Sequence, residues 1–530
     1  MKFAEILFPK KVGQDSSTLT YRVPENSKLG QGVRTKIRNR DNFGIIWKFV
    51  KKPTFRTLPI QEITEENPLV PHPKLLEWIS NNYFCPLFKV LKLFTPQRNL
   101  ERKPFRTKEK IVQINSTSSK KLNKEQEQII SDIKATKENK ILIQGVTGSG
   151  KTEVYTRIAQ EQIKQGKQVL ILVPEISLTT QIIEYFQDTL QIPAAIIHSK
   201  RSASERFNSW EKIWKNEAKL IIGSRSSIFS PFQNLGLIIM DEEHEYSYKQ
   251  DSSPRYSTHK VAEKLLELNP QAKLIYGSAT PSIETRSKTK TFFLNTRIGN
   301  KDLPQVEIVD LRQEFRKRNN SIFSESLHQA ITATLERKEQ VLLFLNRRGS
   351  ASSIVCRDCG HSSTCPDCET KLTFHSRTLS EPSTICHHCG NISTPPKTCP
   401  ECKSANIRYL GIGTQKIEAE VLKTFPQAKV LRADKDTTST KNGFADIFKA
   451  FRNHEADILI GTQMIAKGLH LPKVSLVGVI LADIGLNIPD FRSTERNFQL
   501  MTQVSGRAGR AETQGKVIIQ TYAPESISLK

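Results

Sequence analysis

A chain of 530 residues, 37% hydrophobic and 25% charged, has the composition of a globular protein and the length of three or four domains with cores of their own. Its net charge of +25 and pI near 9.6 imply a polyanionic partner, because such an excess repels itself until phosphates or counter-ions neutralise it. Between Met1 and Lys11 the only apolar run is Ile6-Leu7-Phe8, too short for a secretory signal core or a membrane span, so a cytoplasmic location with no membrane partner is expected.

Residues 1–98 read as a small β-rich domain, with strands expected at Leu19 to Val23 and Ile45 to Val50 and turn residues Pro24, Gly30, Gly32 and Gly44 between them. From Arg34 to Arg56 eight basic residues face a single acid, Asp41, with Phe43, Trp47, Phe49 and Phe55 interleaved. Charges that track phosphates and rings that stack on bases suit a nucleic-acid strand, while the same rings could equally turn into the core. Cys85 has no neighbouring cysteine and reads as a small core residue. Residues 99–120, within a strongly basic stretch that ends in Ser116 to Ser119, read as an exposed linker.

The next region, 121–298, opens with Asn123 capping a helix over Glu125 to Ile133, on which Gln126 is placed to read adenine. The apolar run Ile141-Leu142-Ile143 then leads into Gly145-Val146-Thr147-Gly148-Ser149-Gly150-Lys151-Thr152. This is strand, glycine loop and helix in the G-x-x-x-x-G-K-T pattern. Gly145, Thr147, Gly148, Ser149 and Gly150 let backbone NH groups close around a polyphosphate, Lys151 reaches the β/γ oxygens, and the Thr152 hydroxyl can ligate Mg²⁺. Further apolar runs at Val169 to Val173, Leu220 to Ile222 and Leu237 to Met240 alternate with helical patterns, which predicts a parallel sheet covered on both faces. The last run ends in Asp241-Glu242-Glu243-His244, where Asp241 would hold Mg²⁺ and Glu242 would orient and deprotonate the attacking water. Gly277-Ser278-Ala279-Thr280-Pro281 follows another strand and could couple the nucleotide site to a bound strand.

Val341 to Leu345 opens a second α/β region, expected over 299–350 and 406–530, in which Ile458 to Gln463 repeats the strand-then-loop pattern. Near its end Arg507 and Arg510, in Gln503-Val504-Ser505-Gly506-Arg507-Ala508-Gly509-Arg510, could reach across a cleft to stabilise charge on a γ-phosphate. Inside this region, at 351–405, eight of the nine cysteines form four C-x-x-C pairs: Cys356/Cys359, Cys365/Cys368, Cys386/Cys389 and Cys399/Cys402. Two pairs make one closed tetrahedral Cys₄ site, so two structural Zn²⁺ ions are expected rather than disulfides. Spacing alone leaves open which pairs share an ion.

This ordered set resembles the superfamily 2 helicases, and within them the PriA family of bacterial replication-restart helicases. The resemblance rests on Leu172 to Thr179, Gly223-Ser224-Arg225-Ser226, Asp241 to His244, Gly461 to Gly468, Asp490-Phe491-Arg492 and Gln503 to Arg510, which span the motor region. It implies an α/β architecture: two RecA-like parallel-sheet lobes, a two-zinc insertion and a β-rich N-terminal DNA-binding domain. It further implies ATP, Mg²⁺ and two Zn²⁺ as cofactors, with the outer cysteine pairs sharing one zinc and the inner pairs the other. His361, His375, His387 and His388 would then be bystanders. Tyr246, Tyr248, Lys249, Gln250, Arg255 and Tyr256 match the family's aromatic-rich loop, which links DNA binding to hydrolysis; His259 and Lys260 stand where Arg and Asp are expected.

By the same resemblance the activity is ATP-dependent DNA unwinding in the 3′ to 5′ direction on forked and single-stranded DNA, in replication restart and primosome assembly. Primosome proteins, the replicative helicase and single-stranded DNA-binding protein are the implied partners. Two departures are visible: no winged-helix or C-terminal domain is expected in this sequence, and Leu19-Thr20-Tyr21 stands where the family has Phe-Asp-Tyr in its pocket for a DNA 3′ end. The missing domains keep a second reading open, a DNA-binding primosome scaffold whose ATPase is a loading switch with little unwinding. RNA remodelling is disfavoured by the cysteine insertion.

Overall fold

The computed structural model describes residues 2–13, 16–64, 73–94, 121–174, 180–199, 201–299, 301–346, 352–375, 382–410, 413–434, 437–438, 443–466, 471, 473–488, 490–509 and 514–530. The linker expected at 99–120 lies outside them. Two compact units form, one of residues 1–145 and 150–295, the other of 146–149 and 296–530.

The first unit begins with an antiparallel sheet of β1 (Lys2–Leu7), β2 (Thr18–Val23), β3 (Gly32–Ile37), β4 (Arg40–Val50) and β5 (Glu62–Ile63), in the order β2-β1-β4-β3-β5. Arg38 and Asn39 both take positive φ, 47° and 62°, which closes the β3/β4 hairpin with the twist that two-residue turns favour. Gly44 is needed where β4 crosses β1, since a Cβ there would come within 2.6 Å of the Ile6 side chain and 2.9 Å of Leu7 O. Phe43, Trp47 and Phe49 pack against buried clusters, and of the four aromatics in the basic stretch only Phe55 is largely exposed, at 61%. The domain also carries two helices, α1 (Pro73–Asn82) and α2 (Leu87–Phe94). Their buried Leu75, Leu76, Ile79, Val90, Leu91 and Phe94 share one core with Phe229 and Tyr256 of the sheet domain that follows.

That domain comprises α3 (Lys124–Ala135), β6 (Lys140–Gly145), α4 (Lys151–Lys164), β7 (Gln168–Leu172), α5 (Thr180–Leu190), β8 (Ala194–Ile197), α6 (Ala203–Trp214), β9 (Leu220–Gly223), β10 (Leu235–Asp241), α7 (Thr258–Leu268), β11 (Lys273–Ser278), α8 (Ile283–Lys288) and β12 (Lys290–Leu294). The strands are all parallel, in the order β12-β6-β11-β10-β7-β9-β8. Alternate residues enter opposite cores: Leu142, Leu170, Ile238 and Leu274 on one face, Ile141, Ile143, Ile171, Ile239 and Ile275 on the other. Burial on both faces is why these strands read as unbroken apolar runs.

The second unit contains β13 (Gln305–Asp310), α9 (Leu311–Arg316), α10 (Glu325–Glu336) and β14 (Gln340–Phe344) before the cysteine insertion. The insertion is an antiparallel sheet of β15 (Ser352–Cys356), β16 (Thr373–His375), β17 (Ser383–Ile385), β18 (Ile392–Ser393) and β19 (Ile407–Leu410), in the order β18-β17-β16-β15-β19. β19 pairs with β15 from Cys356↔Ile407 to Ser353↔Leu410, which returns the chain to the start of the insertion. After it come α11 (Thr414–Thr424), β20 (Val430–Ala433), α12 (Gly443–Arg452), β21 (Ile458–Gly461), β22 (Val474–Val479), α13 (Asp483–Leu486), α14 (Ser493–Ser505) and β23 (Lys516–Thr521). The main sheet is parallel, ordered β13-β23-β22-β14-β21-β20. Among the described residues no helix is long and apolar enough to cross a membrane.

Candidate nucleotide site and metal centres

The glycine loop joins β6 to α4. Gly148 and Gly150 take φ of 84° and 80°, a region that side chains strain to reach, and Gly150 caps α4 without a side-chain acceptor for its first NH groups. An anion is the natural partner for such an end. Lys151, 9% exposed, donates from Nζ to Gly145 O at 2.8 Å. Thr152 follows in the first turn of α4, and Ser149, buried, donates its NH to Val146 O. Gln126 is buried on α3 and forms a reciprocal capping box: Asn123 Oδ1 accepts from Gln126 N at 2.8 Å, and Gln126 Oε1 accepts from Asn123 N at 3.0 Å.

Asp241 ends β10, two strands from the glycine loop in the same sheet, with β11 between. Burial, and then the charge of Glu242, push its carboxyl up to about 7, against the pull of Lys151, the Glu242 NH and the Tyr155 hydroxyl. Two carboxylates crowded together beside a lysine at a part-exposed strand end make a fit for a divalent cation, which would relieve the repulsion. Glu242 holds a positive φ of 46°, unusual outside glycine, and its Oε2 lies 3.7 Å from His244 Nδ1. Among the described residues that buried oxygen accepts no hydrogen bond. The Tyr248 hydroxyl sits between Asp241 O at 2.7 Å and Leu172 O at 3.0 Å, tying the aromatic-rich segment to two strand ends.

Glu243, which the sequence reading passed over, is the most heavily engaged member of this acidic run. Fully buried, it accepts from Ser282 N at 2.6 Å, Ser282 Oγ at 3.1 Å and Thr285 Oγ1 at 2.8 Å, and lies 3.1 Å from His259 Nε2. Burial works to raise its pKa, but the His259 hydrogen bond and charge, with those of Ser282 and Thr285, outweigh it and leave the carboxyl lowered. His244 Nδ1 meets Ser278 Oγ at 2.7 Å, a second bond between the acidic segment and the Ser278 to Ser282 loop. No local sequence signal marks Glu243, because Ser282 and Thr285 lie 39 and 42 residues along the chain.

In the second unit Gln463, just past β21, donates from Nε2 to Asn346 Oδ1 at 3.0 Å. Arg507, 7% exposed, donates from Nε and Nη2 to Ala466 O at 3.0 and 2.7 Å. Arg510, Lys467, Gly468 and Glu175 to Thr179 lie outside the described residues.

Eight cysteines gather into two clusters, Cys356, Cys359, Cys399 and Cys402, and Cys365, Cys368, Cys386 and Cys389, each with its sulfurs within 4.8 Å of one another. The outer pairs meet and the inner pairs meet. Sγ···Sγ separations of 3.5 to 3.6 Å between pairs are far longer than a disulfide bond and close to the ~3.8 Å edge of a tetrahedron with ~2.3 Å Zn–S bonds. Both donor sets fit zinc and leave no coordination position for substrate.

Three stretches match family models: residues 6–96 the 3′DNA-binding domain (3′BD), residues 123–289 the DEAD/DEAH box helicase, and residues 403–512 the helicase conserved C-terminal domain. The replication restart protein PriA of Rickettsia felis is 38% identical over 540 residues, an alignment covering 99% of this chain and 81% of that protein. The chain belongs to the PriA family. The PriA proteins of Bacillus subtilis and Synechocystis are 46% and 42% identical over 73% of this chain, which spans 48% of each, about half the length of those relatives. The PriA match at 6–96 takes in α1 and α2 as well as the antiparallel sheet, so the two helices belong to that domain.

Proposed function

We propose that this chain is an ATP-driven DNA helicase that moves 3′ to 5′ along one strand of forked and single-stranded DNA in replication restart and primosome assembly. What supports this reading is the 38% identity to the replication restart protein PriA of Rickettsia felis across 99% of this chain, together with a glycine loop that carries Lys151 and an acidic strand end that carries Asp241 in one parallel sheet. Such a pair serves a nucleotide polyphosphate and its metal, which together supply the hydrolytic free energy when bound.

Gly145, Thr147, Gly148, Ser149, Gly150, Lys151 and Thr152 would hold the phosphates, and Gln126 the adenine. Asp241 and Thr152 would hold Mg²⁺, and Glu242 would take the proton of the attacking water. Arg507 and Arg510 would stabilise charge on the γ-phosphate. Tyr248 and Glu243 would carry the state of that site to the aromatic-rich segment and to the Ser278 to Ser282 loop. Two zinc ions would hold the insertion at 351–405. The domains are assigned as 1–98 for DNA, 99–120 as a linker, 121–298 as the first lobe, and 299–350 with 406–530 as the second. Single-stranded DNA-binding protein, the replicative helicase and other primosome proteins are the proposed partners, in the cytoplasm.

Lys151→Ala tests the assignment. It should abolish DNA-stimulated ATP hydrolysis and spare DNA binding, and hydrolysis at the wild-type rate would refute it.

A further inference from the structure

Among the described residues of the second unit the most exposed aromatic ring is Phe491, 91% exposed. Folding does not put it there: exposing a Phe ring forgoes the ~1.5–3 kcal/mol its burial would yield. The turn that carries it is nevertheless tightly built. Asp490 Oδ1 accepts from Arg492 N at 2.9 Å, Asp490 Oδ2 accepts from Arg496 Nη1 at 2.6 Å, and Ser493 N donates to Asp490 O at 2.9 Å. A rigid turn thus holds an apolar ring out into solvent, and the Arg492 guanidinium lies 5.2 Å from the ring centroid.

The turn lies between α13 and α14, whose neighbours include residues at the edge of the sheet where strands end. Asn346 follows β14, Gln463 follows β21, and the two are hydrogen-bonded at 3.0 Å. Gly485, which follows β22, packs so closely here that a Cβ would meet Asn346 Nδ2 and Asn497 Oδ1 at 2.3 Å each. Gly485 of α13 thus packs against Asn346 at the carboxyl edge of the sheet and against Asn497 of α14, the helix that follows the turn. That edge is where ligands bind in open parallel sheets.

From this geometry we infer that Phe491 is a base-stacking platform for single-stranded DNA, with Arg492 beside it to meet the adjacent phosphate. The inference rests on the DNA-motor reading. A nucleic acid is favoured over a protein partner because the chain carries a net charge of +25 and because a lone ring flanked by arginine offers a π-face and a cation rather than a broad apolar patch.

The test measures binding of a labelled oligodeoxythymidylate by anisotropy to the full chain and to Phe491→Ala, Phe491→Tyr, Phe491→Leu and Phe491→Trp. Loss of one base–aromatic stack weakens binding about 5- to 150-fold in Phe491→Ala. Tyr restores the affinity and Leu does not, and the tryptophan added in Phe491→Trp is quenched by the oligonucleotide. Arg492→Gln lowers the slope of log affinity against log salt by about 0.7, one phosphate's share on a single strand. Wild-type affinity in Phe491→Ala, equal rescue by Leu and Tyr, or an unquenched tryptophan overturns the stacking role and leaves the motor reading standing. A wild-type chain that binds no oligonucleotide overturns the motor reading itself, and the stacking role with it.

Discussion

Gly277 faces Asp241 across the β10/β11 pairing, and a single methyl group there should disturb the acidic corner. A Cβ at this position would lie 1.5 Å from the Tyr155 hydroxyl oxygen and 2.5 Å from Cζ, against an ordinary contact of about 3.5 Å. Tyr155 is fully buried, so its ring has no route into solvent, and either the ring or the strand must move. Overpacking of this kind costs about 1–3 kcal/mol, and the depth of the overlap puts Gly277→Ala at the upper end. At about 2–4 °C per kcal/mol for a large domain, one calorimetric transition should fall by about 6–12 °C. ATP hydrolysis should fall with it, because Gly277 pairs with Asp241 and a displaced strand moves that carboxylate. Adding Tyr155→Phe removes the nearest atom but leaves the ring carbon, so the double variant should recover part of the loss, with a coupling of about 1 kcal/mol or more. A Gly277→Ala protein that melts with the wild type, or one that Tyr155→Phe does not relieve, would refute this packing argument.

Two further outcomes concern other parts of the chain. Metal analysis should find two zinc ions per chain and Cys386→Ser should keep one, with the inner cluster emptied; two retained ions would contradict the Cys₄ assignment. Asp483, fully buried, is raised to about 6, chiefly by burial and against the hydrogen bonds of Tyr522 N and the Thr521 side chain. A carboxyl whose folded pKa lies above its unfolded value of about 3.9 stabilises the fold at low pH, and loses that contribution as pH rises from about 4 through 6. Between pH 5 and pH 8 the stability of Asp483→Asn relative to wild type should therefore improve, by on the order of 1 kcal/mol, read from denaturation at the two pH values; a difference independent of pH would contradict it.

What the sequence disclosed and what it withheld follow from how many residues each feature needs. The glycine loop, the acidic strand end and the C-x-x-C pairs are each set by a few residues at fixed spacing, so they can be read locally. The apolar runs around Ile141 and Ile239 were legible because both faces of their strands are buried. The run Leu87 to Phe94, with Lys89 and Lys92 three residues apart and Val90, Leu91 and Phe94 buried, carries a helical pattern inside a region read as β-rich, and the packing of Phe94 against Phe229 completes α2. The aromatics of the basic stretch resisted reading for a related reason. The register shift between Glu5 and Ile6 in the β1/β4 pairing interrupts simple alternation, and Phe43 and Trp47 turn to the core. Glu243 was hidden because its partners Ser282 and Thr285 lie far along the chain, and no local pattern joins them. The cysteine pairing was open in the spacing and is resolved only by the fold of the insertion, in which β19 returns to pair with β15.

The most direct test of the central claim is strand separation on a synthetic fork by the full chain, followed with ATP, with a non-hydrolysable analogue, and for Lys151→Ala with ATP. An ATP-driven helicase that tracks 3′ to 5′ should release the strand only with ATP and only in the wild type, and should favour a fork whose single-stranded arm offers a 3′ tail for loading. Hydrolysis stimulated by the fork without release of either strand would contradict the account and support a DNA-binding scaffold whose ATPase acts as a loading switch.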